Sequence, residues 1–354
     1  MAIMTTCIGA FPKPGYVPMR DWFQIEHGLT DTAGEVTRQA SRLAAEGDAE
    51  AEALYRRATG EAIADQVACG VDIPTDGEQR RENYIHYHCR HLTGFDFEDL
   101  TSRTLRDGAY TAELPTIRGR IAPDGTHFLN RDFTLAQGFT DRPVKITVPG
   151  PTTIMDTCAN AFYRDERQLA FDLAAALNFE IRALAEAGCT FIQVDEPLFA
   201  RNVKRALGYG VECLDRCFDG IPENVTRVMH MCCGYPEHLD DTEYHKADSA
   251  SYFRLARAVD ASTIDQISLE DAHRHNDLSL LELFRNSTVI LGSVAIAQSR
   301  VETVDDIATR LTAALAHIDP DRLMAAPDCG LAMLGRDLAM QKLCNMCVAA
   351  SQVR

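Results

Sequence analysis

The sequence predicts an α/β fold, a (β/α)8 TIM barrel with a β-rich insertion between its second and third strands. Three observations lead to this prediction. Eight short apolar runs recur along the 354 residues, helical patterns separate most of them, and each run ends in polar, glycine or cysteine residues. Strands buried on both faces of a parallel sheet have this continuous apolar character, and alternating strands and helices are typical of a parallel barrel.

The eight candidate strands contain β-branched or other apolar residues at their centres. They are TTCIGAF at 5–11, GVDIPTDGE at 70–78, PVKITVPGP at 143–151, TFIQVDEPLF at 190–199, TRVMHMCCG at 226–234, IDQISLEDA at 264–272, TVILGSVAI at 288–296 and RLMAAPDCGL at 322–331.

The helical stretches between these runs are amphipathic. A long one covers 34–68, and a second begins after the N-cap candidate Asp165 and ends at Gly188. The stretches 304–318 and 335–350 follow the last two strands. Each strand therefore has a helix available to cover it.

The longest departure from this alternation lies between the second and third strands. Its segment PDGT, at 123–126, is typical of a hairpin turn. We predict a β-rich insertion over the mouth of the barrel at about 84–142. Since no repeat or linker is evident, residues 1–354 are predicted to form a single domain.

The composition excludes some classes of partner. A formal charge of −17 disfavours nucleic acid and anionic membranes, which attract basic surfaces, and no run of eighteen apolar residues exists. The first fifteen residues lack a basic segment followed by a long apolar one. We therefore expect a cytoplasmic protein whose twelve cysteines are reduced thiols.

Candidate metal ligands occur at three strand ends, where the active site of a barrel lies. His230 and Cys232 end the fifth strand on one face, Glu270 ends the sixth and Cys329 ends the eighth. A His-x-Cys pair alone is usually a core histidine beside a buried thiol. Together with Glu270 and Cys329, the imidazole, two thiolates and carboxylate suit Zn²⁺.

The remaining cysteines have structural explanations. Cys233 alternates to the opposite face of its strand and is expected to pack there. Cys344 and Cys347 have the spacing of a redox motif, but they lie in a predicted helix without a second pair, so we interpret them as small buried residues. The same interpretation covers the cysteines at 69, 189, 213 and 217.

The ligand set also predicts a type of chemistry. Zinc with two thiolates and a carboxylate carries a net charge of about −1, which makes it a poor activator of water but suits the binding and deprotonation of a thiol. Glu270 is expected to be the most exchangeable ligand, because a hard carboxylate holds zinc less tightly than thiolate does. Glu270 and His230 are therefore the candidate catalytic residues for thiol alkylation.

Seven motifs in order carry a family resemblance: TTCIGAFPKP, DIPTDGEQRR, VPGPTT, IQVDEPLF, HMCCG, ISLE and APDCGL. With these motifs the chain resembles the catalytic C-terminal half of cobalamin-independent methionine synthase, a zinc-dependent barrel that methylates homocysteine. The resemblance implies that His230, Cys232, Glu270 and Cys329 bind zinc. It also implies that Ile8, Gly9 and Ala10 bind the homocysteine carboxylate, and that Glu78 and Asp195 bind its amine. The alternative for the two acids is a structural hydrogen bond to a barrel loop.

The methyl donor is predicted from one difference between this chain and the family that it resembles. The family's pterin-stacking tryptophan follows the third strand, where this chain has MDTCANAFYRDE, and its single tryptophan, Trp22, is distant in sequence. We expect a corrinoid, a corrinoid protein or another donor that is not a polyglutamylfolate.

The segment ENYIHYHCRH, at 82–91, could line the donor pocket through Tyr84, His86, Tyr87 and His88. Its aromatic rings suit a cationic donor, and the alternative is a loop packed on the barrel rim. Arg80, Arg81 and Arg90 could meet an anionic group or be solvated loop charges.

Two other functions remain open. The same zinc chemistry serves epoxyalkane–coenzyme M transferases, whose thiol carries a sulfonate and no amine. A non-catalytic zinc-binding barrel is the third possibility, since fold does not determine function.

Overall fold

The computed structural model describes residues 2–21, 32–105, 108, 110–234, 238–241 and 246–353. Within these ranges it contains two sheets, one of seven strands and one of three. The strands, in chain order, are β1 Met4–Thr5, β2 Leu92–Leu105, β3 Tyr110–Pro123, β4 Lys145–Pro149, β5 Ala159–Asn160, β6 Phe191–Asp195, β7 Thr226–Met231, β8 Gln266–Leu269, β9 Thr288–Val294 and β10 Leu323–Pro327.

The larger sheet is parallel throughout, in the order β1-β10-β9-β8-β7-β6-β4. Its two edges reach the same short segment, since Thr6 pairs with Ile73 and Thr75 pairs with Lys145, both in parallel. The sheet is therefore curled.

Six of the eight predicted strands contain a strand of this sheet. The first, 5–11, overlaps β1 only at Thr5, and the second, 70–78, contributes only those two bridges. Pro74 interrupts that segment because it has no N–H to donate to a ladder. Just after it, Gly77 and Glu78 turn the chain with positive φ angles of 67° and 54°.

The sheet is buried on both faces, as the apolar runs predict. Every residue of β4 and of β10 is buried. A small apolar cluster lies on the face that Val228 shares with His230; its buried members are Ile8, Ile73, Val228, Ile290, Met324 and Ala326. The opposite face packs against the helices in one large core. The face that carries His230 is thus lined by side chains from around the sheet.

Twelve α-helices surround the described part of this sheet. They are α1 Glu35–Glu46, α2 Ala49–Cys69, α3 Tyr84–Cys89, α4 Leu129–Gln137, α5 Pro151–Thr157, α6 Glu166–Glu186, α7 Leu198–Arg201, α8 Val203–Arg205, α9 Val211–Cys217, α10 Ala250–Asp260, α11 Val304–Ala314 and α12 Arg336–Gln352. A π-helical turn, Ala206–Gly210, and the 3₁₀ turns Leu278–Leu283 and Pro320–Arg322 complete the helical segments. None of the described helices is long and apolar enough to cross a membrane.

Helix ends follow local chemistry. The Asp165 side chain accepts a hydrogen bond from the Arg167 N–H and so caps α6, as predicted. The predicted single helix at 34–68 is instead two helices, because Gly47 adopts a left-handed conformation and Asp48 caps α2. Thr303 and Asp306 form a capping box at the start of α11.

Residues 84–142 contain α3, the antiparallel pair β2 and β3, and α4. The chain reverses between Leu105 and Tyr110, which pair with each other, so the prediction of a hairpin turn at 123–126 is wrong. Pro123 pairs with Leu92 at the other end of the ribbon. There Asp124 accepts the N–H of Thr126 at 2.7 Å, an Asx turn that ends β3 and leads towards α4.

Cys69, at the end of α2, forms a disulfide with Cys344 in α12. The prediction that all cysteines are reduced is therefore wrong for this pair, whereas the other ten are free thiols. The two cysteines are 275 residues apart in sequence, so no local pattern could indicate that their helices meet. The Cys344/Cys347 motif does not pair within itself.

A candidate metal centre and its substrate-binding groups

The centre of the candidate site is a group of one imidazole and two thiols. Ligand atoms of His230, Cys232 and Cys329 all lie within 4.8 Å of one another. His230 belongs to β7, Cys232 follows the end of that strand, and Cys329 lies two residues beyond β10. His230 and Cys232 are buried, and Cys329 is half-buried. The structure therefore brings together three of the four predicted metal ligands.

The His230 ring is oriented by one neighbour. Its Nδ1 is hydrogen-bonded to Ser268 Oγ at 3.0 Å, and the two residues are register partners across β7 and β8. Its Nε2 is buried and has no hydrogen-bond partner in the described structure. A buried ring nitrogen without a partner costs free energy unless that nitrogen binds a ligand. A metal-binding histidine usually binds the metal through one ring nitrogen and forms a hydrogen bond through the other.

The two thiols form an interacting pair. The pKa of Cys232 is lowered well below its usual range, chiefly by a hydrogen bond with Cys329 and also by the neighbouring His230. Thiolates are the form in which cysteine binds metals. Two sulfurs and one free imidazole nitrogen therefore fit a borderline-soft divalent cation.

Glu270, the fourth predicted ligand, lies beside this group rather than within it. Its Oε2 accepts the Cys233 N–H at 3.1 Å, and its Oε1 pairs with the ammonium of Lys246. The carboxylate belongs to a second group of possible ligands, with His273 and Asp328, whose atoms also lie within 4.8 Å of one another.

Hydrogen bonding explains that second group as a structural network. Asp328 accepts the N–H groups of Asp271, Ala272 and His273, and it also bonds to His273 Nδ1 at 2.7 Å. The other ring nitrogen of His273 accepts the Ala297 N–H at 3.1 Å. Because these atoms already have partners, Asp328 and His273 hold the loop after β8 in place and are poor candidates for metal ligands.

Close backbone approach makes this network possible. A Cβ added to Gly292 in β9 would lie 2.0 Å from Asp328 Oδ1, so only glycine leaves room for the carboxylate. Arg310 of α11 pairs with Asp271 through its Nε and Nη2 atoms, at 2.7 and 2.8 Å. The loop that carries Glu270 is therefore fixed from two sides.

The predicted amine-binding acid Glu78 lies next to Gly9. Thr147 Oγ1 donates a hydrogen bond of 2.6 Å to Glu78 Oε1, and a Cβ at Gly9 would lie 2.6 Å from the same oxygen. Burial raises the pKa of Glu78, whereas the Arg81 guanidinium and the Thr147 hydroxyl act to lower it. Glycine at position 9 thus allows the carboxylate to reach the first strand end.

Asp195 joins this acidic group to the metal-binding cluster. Gln193 Nε2 donates to Asp195 Oδ1 at 2.7 Å and to the Ile8 carbonyl at 2.6 Å. Asp195 is the register partner of His230, and burial raises its pKa to about 7. On the opposite side, Ala10 accepts the Leu331 N–H at 2.7 Å beside the Cys329 loop. Asp195 is thus next to His230 on the sheet, Ala10 is next to the loop of Cys329, and contacts of Gln193 and Gly9 link Ile8 and Glu78 to this end of the sheet.

The four predicted donor-pocket residues separate into two sets. Tyr84 is half-buried, and its pKa is raised well above its usual range by burial and then by the charges of Asp195, Cys232 and Cys329. The other three side chains bond to groups outside the cluster: Tyr87 donates to Asp132 at 2.7 Å, His88 Nδ1 bonds to the Tyr84 carbonyl, and His86 Nδ1 bonds to Thr37. Trp22 lies outside the described residues.

The three arginines of the 80–90 segment have acidic partners. Arg80 pairs with Glu52 through two nitrogens at 2.7 Å, and Arg90 pairs with Glu82. Arg81 is 1% exposed and lies 3.2 Å from Asp76 and 3.5 Å from Glu78. These side chains are buried or paired with acids. They are therefore neither solvated loop charges nor free anion-binding groups.

Sequence reasoning missed Ser268, Lys246 and the Asp328–His273 pair. Ser268 and Asp328 had detectable signals, since one lies two residues before Glu270 on the same strand face and the other directly precedes Cys329. Lys246 had none, because it lies in a loop without periodicity.

Comparisons with known proteins identify the family of the chain. The family model described as the catalytic domain of cobalamin-independent synthase matches residues 29–352. The chain is 30% identical to methionine synthase from Saccharolobus solfataricus, over 99% of this chain and 94% of that one. It is 28% identical to methionine synthase from Sulfolobus acidocaldarius, over 97% and 89%.

A solved structure of a B12-independent methionine synthase from Shewanella sp. W3-18-1, in complex with selenomethionine, superposes with a TM-score of 0.83. It is 28% identical, with 99% of this chain and 97% of that one covered. A Listeria monocytogenes protein named as a putative vitamin-B12-independent methionine synthase, 19% identical, shares the fold with a TM-score of 0.68 over 97% and 98%. The chain belongs to the family of the cobalamin-independent synthase catalytic domain, as its ordered motifs indicated.

Proposed function

We propose that the protein is a zinc-dependent methyltransferase that methylates the thiol of homocysteine and forms methionine. One observation carries the proposal: His230 lies within 4.8 Å of two interacting thiols, and its buried Nε2 has no hydrogen-bond partner among the described residues. The two acids Glu78 and Asp195 are buried as well. A soft-metal cluster next to groups that attract an ammonium suits an amino acid with a thiol.

The relatives support the acceptor. Those reported above are methionine synthases, and the Shewanella protein was solved with selenomethionine, which is the selenium analogue of methionine. A homologue therefore forms a complex with an analogue of the product that the proposed reaction would yield.

The residues proposed for zinc are His230, Cys232 and Cys329, with Glu270 as the fourth ligand. A bound zinc ion would act as a Lewis acid that favours the thiolate form of the substrate. Ser268 would keep Nε2 of His230 available, and Glu270 would have to exchange the Lys246 ammonium for the metal.

The substrate amino group is proposed to lie between Glu78 and Asp195. Because both acids are buried, an ammonium placed next to them would strongly stabilise the charged form of each carboxylate. Ile8, Gly9 and Ala10 would contact the substrate carboxylate through their backbone, since Ala10 has no hydroxyl to donate. Tyr84 is proposed to cover the reacting centre from the side of α3.

The reaction forms one bond and breaks one. The substrate sulfur, having lost its proton to solvent, attacks the donor's methyl carbon, and the bond between that carbon and the donor breaks with its electron pair left on the donor. Positioning and the lowered thiol pKa would supply the rate enhancement, without a covalent enzyme intermediate. The donor is proposed to be a small molecule. Membership of a cobalamin-independent family gives no support to the corrinoid donor that the sequence led us to expect.

We extend the proposal to the fold. The segment 73–75 would act as the second strand of a (β/α)8 barrel, which the two bridges to Thr6 and Lys145 support. Residues 84–142 would be an insertion in a single domain of 1–354. The cytoplasm is the proposed compartment, since ten cysteines are free thiols against the two that form the Cys69–Cys344 disulfide.

The test is anaerobic turnover of the zinc-reconstituted and the metal-free protein with several donors and acceptors. The donors are methyltetrahydrofolate, methylcobalamin and a sulfonium compound, and the acceptors are homocysteine and coenzyme M. Methionine that appears only with zinc and homocysteine supports the proposal, and the productive donor is identified at the same time.

Two results would contradict it. Alkylation of coenzyme M in preference to homocysteine would favour the epoxide-opening relatives. Zinc that binds tightly but whose coordination does not respond to any thiol would indicate a structural metal site.

A further inference from the structure

Glu270 has a cationic partner within the chain. The Lys246 ammonium pairs with Glu270 Oε1, and the two side chains are only 14% and 4% exposed. The other oxygen of the carboxylate, Oε2, accepts the Cys233 N–H. The one predicted ligand outside the cluster is therefore held by groups that a metal would have to replace.

The position of Lys246 is fixed next to the cluster. The neighbouring residue Ala247 donates its N–H to the Cys233 carbonyl at 2.8 Å. Arg274, from the loop after β8, donates to the Ala247 carbonyl at 2.8 Å and to Cys233 Sγ at 3.4 Å. The lysine is thus attached to the backbone that directly follows Cys232.

Charge balance gives this contact a role. Zinc with the thiolates of Cys232 and Cys329 and the carboxylate of Glu270 has a net charge of about −1, and a substrate thiolate would add another negative charge in a buried site. Release of Glu270 relieves that excess only if the carboxylate finds another cation, because an unpaired buried carboxylate is strongly unfavourable. Lys246 is already placed to receive it.

We propose that Lys246 is the alternate partner of Glu270. The Lys246 ammonium pairs with the Glu270 carboxylate whenever that carboxylate is not bound to the metal, and it receives the carboxylate when a substrate thiolate displaces it from the metal. This inference rests on the proposed function. Lys246 is here a positioning residue, since it acts on the reaction through Glu270.

The inference predicts opposite effects on two affinities. In Lys246→Met the metal-free protein keeps a buried carboxylate without its cation, so zinc should bind about tenfold more tightly. In the metal-loaded variant the released carboxylate has no partner, so homocysteine should bind about tenfold more weakly. A lysine with a merely structural role would weaken both affinities when removed.

The experiment uses the full chain as wild type, Lys246→Met, Lys246→Arg and Arg254→Met. Zinc affinity is measured by competition with a chromophoric chelator, and homocysteine affinity is measured by absorbance titration of the Co²⁺-substituted protein. Lys246→Arg retains the charge and should stay within about threefold of wild type for both constants. Arg254→Met removes a nearby charge that pairs with Asp248 at 3.2 Å and should leave the ratio of the two affinities unchanged.

Opposite shifts in Lys246→Met, with recovery in Lys246→Arg, support the inference. Equal affinities in Lys246→Met and wild type overturn it, as does weakening of both. If Lys246→Met does not fold, as judged by circular dichroism, then Lys246→Gln replaces it with the same expectations. Wild-type protein that binds no metal, or whose cobalt spectrum does not respond to homocysteine, contradicts the proposed function itself and is distinguishable from these outcomes.

Discussion

Asp328 Oδ2 accepts a hydrogen bond of 2.7 Å from His273 Nδ1, and so joins the strand end that carries Cys329 to the loop that carries Glu270. The same carboxylate also accepts three backbone N–H groups of that loop. Because Asp328 directly precedes Cys329, one buried side chain positions two proposed ligands that are about sixty residues apart in sequence.

The substitution Asp328→Asn should lower zinc affinity about 10- to 100-fold, as the loss of a supporting hydrogen-bond partner typically does. The new side-chain amide would point its own N–H donors at the backbone N–H groups that the carboxylate accepts. The free energy of unfolding should therefore also fall, by about 1–3 kcal/mol. Chelator competition and thermal melts measure the two effects. Asp277→Asn is the control, since that carboxylate caps a separate turn through the Ser279 N–H. Zinc affinity unchanged in Asp328→Asn would contradict the positioning role.

The proposed ligands can be tested against a neighbouring cysteine. Cys329→Ser and His230→Ala should lose stoichiometric zinc and all thiol methylation, because each removes one of the three members of this cluster in the described part of the chain. Cys233→Ser should keep zinc, since Cys233 belongs to the outer apolar core. Metal analysis and methionine formation are the measurements, and a zinc-free variant that still turns over would contradict the mechanism.

The pH dependence of substrate binding should reflect Asp195. Burial raises the pKa of this carboxyl to about 7, so it is charged above that pH and neutral below it. An ammonium is attracted only by the charged form. The KM for homocysteine should therefore rise as the pH falls below 7, by up to about tenfold per pH unit.

The matched substrate is 4-mercaptobutanoate, which is homocysteine without its amino group. Its KM should show no transition near pH 7, and Asp195→Asn should remove the transition for homocysteine. A transition of equal size for both thiols would assign it to thiol ionisation or to the metal centre.

The disulfide between Cys69 and Cys344 should stabilise the protein, because it closes a loop of 275 residues in the unfolded chain. Its reduction is expected to cost about 2–4 kcal/mol of unfolding free energy. Thermal melts with and without a phosphine reductant measure this for wild type and for Cys69→Ser/Cys344→Ser, which should not respond to the reductant. Cys347→Ser should respond like wild type. A wild-type melting temperature independent of reductant would show that the bond contributes nothing.

The sequence was informative where chemistry is local. His230 and Cys232 share a face because strand residues alternate, and Cys329 follows a buried run, so their convergence could be predicted from strand ends alone. Six strands were recognisable for the same reason, and the first was placed too far along the chain, since β1 ends at Thr5. The second was reduced to two bridges because Pro74 cannot donate to a ladder.

Contacts between distant segments could not be predicted. Lys246 reaches Glu270 from an irregular loop, and Cys69 meets Cys344 only because two helices pack side by side. The turn at 123–126 shows a different limit, since the same residues that close a hairpin also end a strand. Side-chain partners of this kind depend on tertiary packing, which short-range patterns do not contain.

The most direct test of the account is zinc X-ray absorption spectroscopy of the reconstituted protein, before and after homocysteine is added. We predict two sulfur neighbours in the free protein and three when the substrate is present, with the loss of one oxygen neighbour. A spectrum that shows the same neighbours in both samples would contradict the claim that this cluster activates a substrate thiol.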